Sequence, residues 1–170
     1  VYKRQVLTSI NCLANKFGEE DLATLLTAIE GTSVRSLCGL TEGQTVADFS
    51  GQNLGPIDVK IMAAEYGFQG FIAALTSINC LANNFGDDDL TTLLTAIEGT
   101  SVRSLCGLTE GQTVADFSKQ NLKPIDCKII AAEFGFQGFI AALNSLTLTS
   151  TGGSTRQPPI EGKTYTLDAT

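Results

Sequence analysis

LTSINCLANKFG, residues Leu7–Gly18, returns as LTSINCLANNFG at Leu75–Gly86, 68 residues further on. Extending the alignment outward carries the match through Ala74 and Ala142 with nine differences over 68 positions. Most are mild, such as Glu19 to Asp87, Glu20 to Asp88, Met62 to Ile130 and Tyr66 to Phe134. Self-similarity at a fixed period marks a repeat architecture and has to be read before any local structure. The blocks 7–74 and 75–142 divide again. The apolar strand starts Leu7, Val34, Leu75, Val102 and Leu143 stand 27, 41, 27 and 41 residues apart.

The shorter segment predicts strand, turn and helix in that order. Apolar residues alternating before a bend (Leu7, Ile10 and Cys12; Leu75, Ile78 and Cys80) suit a short strand turning into the core. Asn15 and Asn83 then sit where the strand bends, and their side chains can bond backbone groups that the turn has deprived of ladder partners. In LATLLTAIEG the residues Leu22, Leu25, Leu26 and Ile29 share one face at helical spacing. Glu19–Asp21 complement the positive helix start, and Gly31 supplies a C-terminal stop. One such unit cannot bury its apolar edge alone, so units must stack.

The longer segment carries two strand candidates, VRSLCG and VADFS, followed by the helical stretch PIDVKIMAAEYG with Pro56 at a first helical position and Asp58 in the first turn. About ten residues separate the candidates, which is short for a parallel crossover. VRSLCG is the expected main-sheet strand because it directly follows the preceding helix. VADFS is then an extra strand, such as a hairpin arm around Thr41–Gln44. LNSLTLTS, with Leu143, Leu146 and Leu148, supplies a fifth strand; TGGSTRQPPIEGK is turn and linker chemistry, and YTLDAT is a possible terminal strand.

Leu7, Ile10, Cys12, Asn15 and Phe17, with their copies Leu75, Ile78, Cys80, Asn83 and Phe85, follow the pattern L-x-x-L-x-L-x-x-N-x-L. The chain therefore resembles the leucine-rich repeat family over about residues 7–150, and its 27-residue unit is most similar to the ribonuclease-inhibitor-like class. The 41-residue segments depart from the family length. The resemblance implies an α/β solenoid with a mostly parallel concave sheet and helices on the convex side, occupying residues 1–148, with 149–170 as a tail. It also implies a binding face formed by residues between the apolar strand positions: Thr8, Ser9 and Asn11; Arg35, Ser36 and Cys38; Thr76, Ser77 and Asn79; Arg103 and Ser104; Asn144, Ser145 and Thr147. Arg35 and Arg103 lie one block apart and should point the same way. Their planar five-donor forks suit an acidic partner, against the plainer reading of pairing with a local carboxylate or with solvent. A solenoid needs polar caps at its ends, and neither terminus resembles one, so the expectation is a stretch of a longer array or capping by other chains.

Composition narrows the function. The chain has 170 residues, 43% hydrophobic and 17% charged, which is enough to bury a core. Eleven basic against eighteen acidic residues give a net charge of −7, a sign that opposes nucleic-acid backbones and anionic lipid. There is no histidine, the commonest general base and metal ligand. Five cysteines, an odd number with no CxxC, read as small buried hydrophobes in an intracellular, reducing compartment. The runs Glu19–Asp21 and Asp87–Asp89 read as solvated helix-start charge, since three consecutive carboxylates point in different directions and do not surround a cation. Asp48 and Asp116, set against Lys60 or Glu65, lack the pocket and partner that acid–base work requires. Phe68, Phe71 and Ile72 of GFQGFIAAL are assigned to the layer between helix and sheet, with a docking patch as the alternative. The expectation is a non-catalytic, protein-binding scaffold with no cofactor, no metal, no nucleic-acid partner and no membrane insertion. The alternative is a structural subunit of a large assembly, held by its ends and convex face.

Overall fold

The computed structural model describes residues 6–68, 70–136 and 138–148, and the backbone of 164–166. The chain is mixed α/β with short parallel strands. In order it runs α1 (Glu19–Ile29), β1 (Val46–Asp48), α2 (Pro56–Glu65), β2 (Ser77–Asn79), α3 (Asp87–Ile97), β3 (Val114–Asp116), α4 (Pro124–Glu133), β4 (Ser145–Thr147) and β5 (Thr164–Thr166). Strands β1 and β2 pair in parallel with Val46 opposite Ser77. In a second small sheet β3 pairs in parallel with β4, and β5 closes the far side of β4 in antiparallel fashion. Tyr165 and Thr166 of YTLDAT thus lie in a strand, while the linker-like 149–163 and residues 167–170 lie outside the described residues.

Both strand candidates pair with LTSIN-type segments, on opposite sides, and only VADFS does so as a regular strand. VADFS provides the regular strands β1 and β3, β1 paired with the start of the second block and β3 with the segment that follows that block. VRSLCG instead meets the preceding segment through isolated bridges, Ser9 with Ser36 and Asn11 with Cys38, repeated as Ser77 with Ser104 and Asn79 with Cys106. The Thr41–Gln44 turn is closed by the Gln44 N–H on Thr41 O (3.1 Å), yet among the described residues the segments it joins form no hairpin ladder. The reason lies in a buried carboxylate. Glu65 Oε2 accepts the N–H groups of Leu37 (2.6 Å) and Cys38 (3.1 Å), which would otherwise need a strand partner. Glu133 does the same for Leu105 and Cys106.

The helices begin and end as their sequence dictates. Asp21 and Asp89 accept the N–H of Gly18 and Gly86 (both 2.8 Å), satisfying amides that a helix start leaves unpaired. Gly31 and Gly99 take left-handed φ values of 72° and 75° just past the helix ends, a conformation glycine adopts without steric cost. Asp58 and Asp126 reach further. Besides the N-cap amides of Gly55 and Lys123, they accept the N–H of Ala14 (2.8 Å) and Ala82 (2.9 Å), 44 residues back in the chain. The apolar faces form one core that includes Leu37, Leu54, Ile61, Leu75, Ile78, Leu81, Leu93 and Leu105, and α2 packs against α3 across the joint between blocks. Among the described residues no helix is long and apolar enough to cross a membrane.

Candidate functional site: a recess built twice

Arg35 and Arg103 are exposed, and their Nη1 atoms donate to two backbone carbonyls each: Thr32 and Val34 (both 2.7 Å), and Thr100 (2.7 Å) and Val102 (2.6 Å). These bonds fix both guanidinium groups in one orientation relative to their blocks. Neither forms an ion pair among the described residues. Arg35 borders an open recess of about 520 Å³ together with Glu42, Gly67, Phe68, Gly70 and Phe71. Arg103 borders its counterpart of about 460 Å³ with Glu110, Gly135, Phe136, Gly138 and Phe139. Each pair of lining residues is 68 positions apart.

Three chain segments converge here, and each leads into an extended segment: Arg35 into Ser36–Cys38, the Thr41–Gln44 turn into β1, and the stretch after α2 into β2. The aromatic stretch divides its work. Ile72 is buried, whereas Phe68 and Phe71 are only half-buried and face the recess as well as the core. Neither of the two sequence readings of GFQGF, core or patch, holds alone. The site therefore combines an arginine, a carboxylate and two partly exposed rings. The sequence marks Glu42 and Glu110 only through the unchanged recurrence of TEGQ, a recurrence they share with Arg35 and Arg103.

The rest of the expected binding face is uneven. Thr8, Asn11 and Asn144 are exposed, and Ser9, Thr76, Asn79, Ser145 and Thr147 are half-buried. Ser36, Ser77 and Ser104 are fully buried and leave the set, as does Cys38. Ser36 and Ser104 turn inward because their Oγ atoms accept the N–H of Leu40 (2.8 Å) and Leu108 (2.9 Å), bending the chain after the bridge. Ser77 lies between β1 and the Ser104 segment, bonded on both sides.

The acid–base pairings considered in the sequence do not assemble. Asp48 spends Oδ1 on the N–H (2.9 Å) and hydroxyl (2.7 Å) of Ser50. Lys60 pairs with Glu19, which holds the Glu19 carboxyl below its ordinary range, and Lys128 pairs with Asp87 at 2.7 Å. Glu65 and Glu133 are buried within the fold, and loss of hydration raises both pKa values despite the opposing pull of their hydrogen bonds. Among the described residues no three His, Cys, Asp or Glu side chains converge as a metal site. Cys12, Cys38, Cys80 and Cys106 are free and buried, and burial raises all four thiols. Cys127 is exposed, contrary to expectation. Its counterpart Val59 is buried on α2, which packs on α3; no helix follows α4 among the described residues.

No family model, curated protein or solved structure matches the chain.

Proposed function

We propose that this chain is a leucine-rich-repeat-like solenoid module that binds a protein partner without catalysing a reaction, using Arg35 and Arg103 as anchors. The observation that carries the reading is the recurrence of one recess, with six identical lining residues, at the repeat interval. Arginine and aromatic rings are the residue types that dominate binding energy at protein interfaces. The arginines are held by backbone carbonyls before any partner arrives, which reduces the ordering cost of association. With a carboxylate beside each arginine, the recess suits a segment that offers an apolar side chain next to a group that can accept from the guanidinium and donate to the glutamate, such as a backbone amide. Two such sites on one scaffold favour a partner long enough to reach both, with avidity gains of about 10²–10⁴-fold. The solenoid reading is supported by the seating of each block's VADFS strand on the segment that follows that block. Free buried thiols suit a reducing compartment.

The test is affinity capture from native extract with the wild type and with Arg35→Glu combined with Arg103→Glu, compared by mass spectrometry, with circular dichroism as the folding control. The double variant should lose a protein selectively, and each single variant should retain part of the signal. A loss of about 2 kcal/mol per arginine is expected once that partner is titrated. Identical captured sets from wild type and double variant would overturn the assignment.

A further inference from the structure

The contact between β1 and β2 is built from a fixed set of bonds. Thr45 O accepts the N–H of Thr76 (2.9 Å) and Ser77 (3.2 Å), Phe49 N–H donates to Asn79 O (2.9 Å), and Gly51 N–H donates to Leu81 O (3.0 Å). Asn83 clasps the incoming strand: its Nδ2 donates to Phe49 O (2.8 Å) and its Oδ1 accepts the N–H of Leu54 (3.0 Å). The core of this contact recurs between β3 and β4. Thr113 O accepts the N–H of Asn144 (3.0 Å) and Ser145 (3.2 Å), and Phe117 N–H donates to Thr147 O (2.9 Å). The same TVADFS strand thus seats on two different sequences, TSIN and NSLT, in one register.

Residues Leu7–Asn15 carry the accepting sequence LTSINCLAN a further time, unchanged from Leu75–Asn83. Their inner side is engaged, since Ile10 N–H and Cys12 N–H donate to Ser36 O and Leu37 O. On the outer side, nothing among the described residues pairs with Thr8–Asn11. Exposure records the difference: Leu7 is 61% exposed where Leu75 is 1%, and Phe17 is 37% exposed where Phe85 is 8%.

We propose that the outer edge of residues 7–17 is a strand-accepting site for an extended protein segment with the chemistry of TVADFSGQNL. Such a segment adds a parallel strand, places small, aromatic and aliphatic side chains where Ala47, Phe49 and Leu54 are buried, and is clasped by Asn15. Unpaired strand edges are templates for strand addition: main-chain bonds supply affinity and alternate side chains supply specificity. The rule for this site is written inside the chain, in a contact it already makes twice. This inference does not rest on the arginine recesses.

The probe is a fluorescent peptide TVADFSGQNL, titrated with the full chain by anisotropy, with amide hydrogen exchange on the complex. Saturable binding is expected, with slowed exchange at Thr8 and Ser9. Phe49→Ala in the peptide should weaken binding by about tenfold or more, and Asn15→Ala in the chain by up to about tenfold. The peptide variant leaves the chain untouched, so a folding defect cannot account for its effect. No saturable binding, equal binding of a scrambled peptide, protection confined to other segments, or occupation of this edge by a second copy of the chain in sedimentation analysis would each overturn the proposal.

Discussion

Lys119 takes a left-handed φ of 59° at the position where the first block has Gly51 at 63°. That region costs an L-residue about 1–2 kcal/mol and costs glycine almost nothing. Lys119 is exposed and makes no hydrogen bond among the described residues that would offset the strain. Lys119→Gly should therefore stabilise the chain by about 1 kcal/mol after allowing for glycine's extra freedom when unfolded, read as a rise in the urea midpoint at unchanged slope. An unchanged or lower midpoint would show that the backbone is not under strain there. Ala14 and Ala82 also take left-handed φ values, 58° and 60°, and their amides are tied down by Asp58 and Asp126.

At the scale of the element, the end of α2 is what keeps VRSLCG and VADFS from pairing. Glu65 brings a carboxylate to the Leu37 and Cys38 amides, and burial raises its pKa above the ordinary carboxylate value of about 4.3. A native pKa above the unfolded one means that the folded chain holds its proton longer. This group's contribution to stability is therefore most favourable below the unfolded value, falls as pH rises through the native value, and is flat above it. Glu65→Gln has no proton to lose, so its stability relative to the wild type should improve as pH climbs through that window. Urea unfolding at a series of pH values measures this, and a gap that widened against the variant with rising pH would contradict it. Glu19 works in the opposite direction: its lowered pKa favours the fold above the unfolded value, an effect lost on acidification.

For the whole molecule, burial is a relation between blocks. Leu7 and Leu75 occupy the same place in the repeat, yet among the described residues only the segment that Leu75 opens has a VADFS strand paired to it, and only Leu75 is buried. Leu75→Ala should cost about 2–5 kcal/mol of stability, while Leu7→Ala should change it by less than about 0.5 kcal/mol. Comparable losses in urea unfolding would show that Leu7 is covered in solution. The same logic separates Cys127 from Val59.

Much of this was legible before any coordinates. The 68-residue period, the helix faces, the N-terminal acids, the glycine stops and the bonding role of Asn83 all follow from local spacing and backbone chemistry, which act over a few residues. Three things did not. That VRSLCG does not also pair with VADFS depends on a glutamate 28 residues away that supplies the amide partners a strand would have given. The recess depends on Arg35, Glu42 and Phe68 meeting from three separate segments. The inward turn of Ser36 and Ser104 depends on which amide each hydroxyl meets. The sequence by itself determined what each unit is, because propensity, capping and periodicity are short-range. Only the tertiary structure decided which copy of a residue is core and which is edge, because two identical sequences bury different surfaces when, among the described residues, only one has a neighbour on that side.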